Sequence, residues 1–144
     1  MPKFIEVRDF PYSAEQMYQM VGDVGAYADF LPWCLGVRVY KRTEESLYAD
    51  LIIGFKMFRE RFTSHVKFTD GRIEVNYIKG PLKYLHNHWQ FTPNDDGGCR
   101  VDFLVDFEFK NKVFEKMIGG FFTEAVSHMI EAFEERADAL YGEK

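Results

Sequence analysis

The stretch "RVDFLVDFEFKNKVFEKMIGGFFTEAVSHMIEAFEERADALY", Arg100–Tyr141, changes its period once, and that change decides the architecture. Up to Phe109 the pattern has period two. Val101, Phe103, Val105, Phe107 and Phe109 face one way; Asp102, Asp106 and Glu108 face the other. This is a strand with one buried and one wet face. From about Asn111 to Tyr141 the period becomes helical. Ile118, Phe122, Ala125, Val126, Met129, Phe133 and Leu140 recur on one side, with Thr123, Ser127, Glu131, Glu134 and Asp138 opposite. One long amphipathic helix is expected there. Gly119 and Gly120 weaken it by about 1 kcal/mol each relative to Ala. They mark either a bend or a close approach to the backbone.

Upstream, five more segments alternate with period two. They are "LGVRVYK" (Leu35, Val37, Val39), "LYADLIIGF" (Leu47, Ala49, Leu51, Ile53, Phe55), "FRERFTSHVKF" (Phe58, Phe62, Val66, Phe68), "RIEVNYI" (Ile73, Val75, Tyr77) and "YLHNHWQF" (Leu85, Trp89, Phe91). Connections are short, and "NDDGG" reads as a hairpin turn, so the strands form an antiparallel meander. "KFIEVRDF" near the start is strand-like in composition. Ser13 with Gln16 makes a capping box that starts a helix over "SAEQMYQMV". Gly22 and Gly25 punctuate its end, and "AYADFL" adds a short helical turn that Pro32 stops. A sheet with one wet face must have the other covered. The long C-terminal helix is the element able to do so. The expectation is an α+β fold in which a curved antiparallel sheet grips that helix, as a single domain over residues 1–144.

Phe supplies 15 of the 144 residues and aromatics make up 17%. Such a core is ample for the length. Composition leaves open whether it is solid or whether aromatic walls surround a space. The net charge of −5 and pI near 5.4 count against a free-standing nucleic-acid binder, and no DNA partner is expected. No apolar run approaches the roughly 18 to 20 residues of a membrane span. "MPKFIEVRDF" lacks the apolar core of a signal peptide, which points to the cytoplasm. There Cys34 and Cys99 are expected as thiols, although spacing leaves a disulfide open.

Catalytic signatures are missing. The chain holds no G-x-S-x-G elbow, P-loop or Gly-rich dinucleotide fingerprint. Nothing brings a histidine to Cys34, and the acidic row Asp102, Asp106, Glu108 lies on the wet face. His86 and His88 share one strand face, but no third ligand accompanies them, so no metal is expected.

With this order established, "YADFLPWC" (27–34), "RFTSHV" (61–66), "KGPLKYLHNHWQFTP" (79–93) and "FFTEAVSHMIEAFEERADALYG" (121–142) resemble the coenzyme Q-binding protein family. That family lies within the START-like polyketide cyclase/dehydrase group, which has the helix-grip fold, and it overlaps the bacterial ribosome association toxins. The resemblance runs nearly end to end. It implies a hydrophobic cavity between sheet and helix that holds ubiquinone or a related polyprenyl quinone and supports respiratory electron transport. The quinone would be the bound ligand; no cofactor is required. The same resemblance implies an alternative, a ribosome-binding toxin that blocks association of the subunits. A cyclase-like enzyme is the other alternative, but no acid/base constellation supports one.

On this reading the cavity wall is Phe55, Phe62, Tyr77, Trp89, Phe103 and Phe107 from the strands, with Ile118, Phe122, Val126 and Met129 from the helix. Phe30 and Trp33 form its lid, or else plug the end of a solid core. Glu60, Ser64 and Asn87 take inward positions, where they either hydrogen-bond a quinone oxygen or find structural partners. "GFKMFRE" and "KGPLKYL" place apolar tips beside cations, as ordinary loops do and as a surface touching the inner membrane transiently would. The face carrying Arg59, Arg61, His65 and Lys67 would serve the ribosome alternative.

Overall fold

The computed structural model describes residues 3–55 and 58–142, without the side chains of Phe55, Phe58, Phe114 and Ile118. Seven strands form one antiparallel sheet: β1 (Lys3–Phe10), β2 (Cys34–Tyr40), β3 (Ser46–Phe55), β4 (Phe58–Thr69), β5 (Arg72–Lys79), β6 (Leu82–Pro93) and β7 (Cys99–Phe109). Their order across the sheet is β1-β7-β6-β5-β4-β3-β2. The meander thus runs unbroken from β2 to β7, and the N-terminal strand adds to its far edge. The period-two pattern of β7 holds throughout: Val101, Phe103, Val105, Phe107 and Phe109 are all buried.

Helix α1 (Ala14–Gly22) begins at the predicted capping box. The Gln16 N–H donates to Ser13 Oγ at 3.1 Å, and the Ser13 N–H donates to Gln16 Oε1 at 3.0 Å. Each bond satisfies an N–H that has no partner inside the helix. A 3-10 turn over Val24–Ala26 and the four-residue α2 (Tyr27–Phe30) follow. The chain then reverses, with the Cys34 N–H donating to the Leu31 carbonyl at 3.0 Å across Pro32 and Trp33. Proline at the second position of such a turn has its φ already set.

The C-terminal segment departs from the expected single helix. It forms α3 (Lys112–Ser127) and α4 (Met129–Tyr141), interrupted at His128. The interruption lies away from Gly119 and Gly120, which stay helical. Its physical cause is local: Ser127 Oγ donates to the Glu124 carbonyl at 2.8 Å, and that carbonyl also takes the His128 N–H at 3.2 Å. Serine bonding back to the preceding turn competes with the helix ladder and bends it. Gly119 is instead where the helix meets the sheet, and a Cβ there would touch the Phe109 ring.

Leu35 is a second departure. Alternation groups it with the inward Val37 and Val39, but a bulge between Cys34 and Gly36 shifts the register and turns it outward. A bulge inserts one residue and reverses the alternation on one side of it. The Leu35 side chain then lies across Gly54, where any Cβ would overlap it.

Candidate functional site

The concave face of the sheet and the inner face of α3–α4 enclose a cavity of about 130 Å³. Its floor is aromatic. Trp89 on β6 meets the Phe133 ring of α4 edge-on, at 4.9 Å between centroids and 67° between planes. Phe62 on β4 stacks parallel on Phe122 of α3 at 5.6 Å, which joins sheet to helix along one flank. Large apolar surfaces meeting in this way dominate the energetics of the interface.

Nine of the predicted residues line the cavity: Trp33, Phe62, Ser64, Tyr77, Asn87, Trp89, Phe122, Val126 and Met129. Trp33 is half-buried and held at the mouth, because the Gly54 N–H donates to its carbonyl at 3.0 Å. Ser64, Tyr77 and Asn87 sit on adjacent strands. Ser64 faces Tyr77 across β4–β5, and Asn87 faces Val75, two residues from Tyr77 on the same face of β5.

Four predicted site residues, two from the wall, one from the lid and one polar, do not reach the cavity. Phe103 lies behind Trp89, ring centroids 4.6 Å apart, so the indole covers it. Phe107 is fully buried between Phe109 and Phe122 and belongs to the solid part of the core. Phe30 faces the outside: its ring packs on Tyr27 and Phe133, and the Arg136 guanidinium lies over it at 5.1 Å in a cation–π contact. Glu60 pairs with Ile53 toward the β3–β4 connection and stands half-buried beyond the wall. The predicted positions Phe55 and Ile118 have side chains outside the described residues, as do Lys56 and Met57 of the apolar loop tip.

The wall also has an aliphatic share that the aromatic reading of the sequence leaves out. Leu51, Ile53, Val75 and Leu85 line it from the strands, and Phe121 and Ala125 from α3. The four strand residues hold inward parity, so alternation was the signal that could have found them. Ala125 belongs to the apolar helical stripe read from the sequence, whereas Phe121 lies on its flank, one step from Phe122, where periodicity alone places it at an edge.

Three polar groups give the cavity its chemistry. Ser64 is 8% exposed, and its side chain lines the cavity. The Asn87 carboxamide is anchored, its Nδ2–H donating to the Leu104 carbonyl at 2.8 Å. The Tyr77 hydroxyl accepts the Leu82 N–H at 2.9 Å. Burial pushes the Tyr77 pKa up, that bond opposes the shift, and the Glu60 charge adds to it, so the phenol keeps its proton. No carboxylate, histidine or lysine lines the cavity among the described residues. Cys34 and Cys99 are buried free thiols away from it, and burial raises the pKa of each.

The outer face of the sheet differs sharply. Tyr40, Tyr48 and His65 stack in series on β2, β3 and β4, with centroids 5.8 Å and 4.4 Å apart. The Arg38 guanidinium lies over Tyr40 and the Lys41 ammonium over Tyr48. Beneath this ladder Asp50 is buried, accepting from Thr63 Oγ1 at 2.8 Å and from the Tyr40 hydroxyl at 3.2 Å. Arg59, Arg61 and Lys67 are exposed.

Residues 10–134 match the family described as polyketide cyclase / dehydrase and lipid transport. The chain is 39% identical over 142 residues to the ribosome association toxin RatA of Escherichia coli K12, covering 98% of this chain and 90% of that protein. It is 33% identical over 145 residues to the mitochondrial coenzyme Q-binding protein COQ10 homolog B of Xenopus laevis, covering 97% of this chain and 59% of that one. In fold it is similar to a START superfamily protein from Mycobacterium smegmatis, at 19% identity and TM-score 0.80, covering 96% of this chain and 98% of that chain.

Proposed function

The chain belongs to the polyketide cyclase / dehydrase and lipid transport family, and on that premise we propose that it binds a ubiquinone-like lipid without chemically changing it, in support of respiratory electron transport. The observation that carries this reading is the cavity between sheet and helix, almost wholly apolar, with a few hydrogen-bonding groups on its wall. That composition suits a ring with a few oxygen substituents and a hydrocarbon remainder. Burial of apolar ligand surface would drive binding at about 25 cal/mol per Å². The relative named as a coenzyme Q-binding protein supports the choice of lipid. The lack of a carboxylate, histidine or lysine on the described wall supports binding over catalysis. No described helix is long and apolar enough to cross a membrane. In this proposal the protein resides in the cytoplasm and loads its lipid in transient contact with the inner membrane.

Mass spectrometry of organic extracts tests the proposal, on protein purified from a quinone-producing host. Folded wild-type protein should carry a stoichiometric ubiquinone-class lipid. Val126→Lys should lose it and Asp102→Ala, on the outer face, should keep it. Equal retention in both variants would remove the cavity as the site.

A second reading is favoured by the outer ladder of Arg38, Tyr40, Tyr48 and His65 together with the relatives named ribosome association toxin. Cations interleaved with half-buried rings on an outer face suit contact with nucleic acid. On this reading the face binds a ribosomal subunit through phosphates, and binding weakens steeply with salt. Absence of co-sedimentation with ribosomal subunits at low salt would eliminate it.

A further inference from the structure

Three observations bear on how a lipid would lie in the cavity. The first is size. About 130 Å³ is close to the space that holds a single benzene ring in a protein interior. A long isoprenoid chain does not fit alongside one. The second is Ser64. Its side chain is buried on a wall that is otherwise almost wholly apolar. Its hydroxyl lines the cavity, where it can donate to a ligand oxygen.

The third observation is a shared wall. Trp33, Phe121 and Ala125 line the inner cavity and also an outer groove of about 610 Å³. The groove runs between the Phe30–Trp33 segment and the flank of α3–α4. Ala125, Ala132 and Ala139 lie along it at intervals of seven residues. Ala132 and Ala139 lie two turns apart on one face of α4, about 10 Å, and Ala125 lines the same groove from α3 across the break at His128. Small side chains leave a smooth apolar trough there, and Glu124, Glu131 and Glu135 rim it together with His128 and Arg136, so acidic groups outnumber basic ones. That rim disfavours an anionic occupant and leaves a neutral chain as the fitting one.

Resting on the lipid-binding reading, we propose that the lipid binds head first. Its six-membered ring, bearing hydrogen-bonding oxygens, occupies the inner cavity with one oxygen accepting from Ser64 Oγ–H. Its hydrocarbon tail leaves between Trp33 and Phe121 and lies in the outer groove along Ala125, Ala132 and Ala139. The opposite orientation would put the polar ring in the groove, away from Ser64, and force the tail into a space it exceeds.

Quenching of tryptophan fluorescence by two probes tests this: a long-tailed ubiquinone and a tail-less benzoquinone with the same ring substituents. Wild-type protein should bind both. Ser64→Ala should weaken both by about three- to tenfold, the loss expected for one hydrogen bond. Ala132→Glu should weaken the long-tailed probe at least about tenfold more than the tail-less one, because a carboxylate in the trough must lose water. Ala139→Glu, at an exposed position, should act in the same direction and guards against a folding defect in the first variant. Unchanged binding of the long-tailed probe in both groove variants would overturn the head-first orientation while leaving lipid binding intact. So would wild-type protein that binds the long-tailed probe but not the ring. Failure of wild-type protein to bind either probe would remove the lipid-binding reading and this one together.

Discussion

Trp89 and Phe133 meet edge to face, 4.9 Å between ring centroids, where the sheet touches α4. Both are buried, at 3% and 1% exposure. The contact does two jobs: it closes the floor of the cavity and clamps α4 onto the strands. Trp89→Ala should therefore cost about 3 to 5 kcal/mol, the range for deleting a large buried aromatic. Urea denaturation would measure it. Trp89→Phe, which keeps an apolar ring on the floor, should cost clearly less. Equal losses in the two variants would mean that the ring contact contributes nothing to holding α4.

Gly120 lies on the exposed side of α3 with open space where a Cβ would be. Glycine inside a helix is less favourable than alanine by roughly 0.5 to 1 kcal/mol, because its unfolded chain loses more freedom. Gly120→Ala should stabilise the protein by about that amount in thermal or urea unfolding. A loss of stability would show that something needs the bare backbone there.

Gly54 and Leu35 are coupled. A methyl group at Gly54 would overlap the Leu35 side chain, which the β2 bulge lays across it. Gly54→Ala alone should destabilise the protein by about 1 to 3 kcal/mol. Adding Leu35→Ala should recover part of that loss, giving a coupling energy above about 0.5 kcal/mol in the double-mutant cycle. Simple additivity of the two substitutions would contradict the geometry.

The Cys99 thiol is buried, and burial pushes its pKa up from 9.0 to about 11, with the Asp9 charge adding to the shift. The neutral thiol is thus the form that the folded state favours. Its contribution is complete below pH 9 and is lost as pH rises toward 11, since the unfolded chain releases the proton first. The urea midpoint should fall across that window, and Cys99→Ala should flatten the fall. A variant with the same slope as the wild-type protein would assign the alkaline loss to other groups. Neither thiol should react with a disulfide reagent at neutral pH while the chain is folded.

Much of this protein can be read from its chain without coordinates. The alternation of Val101 to Phe109 and the Ser13–Gln16 capping box are local signals, settled by side-chain period and by hydrogen bonds between near neighbours. The order of β2 to β7 follows from them, because short turns leave a meander little choice, whereas the place of β1 beside β7 does not. Cavity residues such as Phe62, Ser64 and Trp89 are legible in the same way, since inward parity is a property of the strand. Tertiary structure alone decided the rest. Phe103 and Phe107 have inward parity too, yet the indole of Trp89 covers the first and the ring of Phe122 covers the second. Which aromatic fronts the space depends on how side chains from separate elements stack, and no period encodes that. The bulge at Leu35 and the helix break at His128 are single-residue outcomes of backbone competition, invisible to a pattern averaged over a turn. The wall shared by Trp33, Phe121 and Ala125 joins residues far apart in the chain, and only close packing of the chain reversal against α3 brings them together.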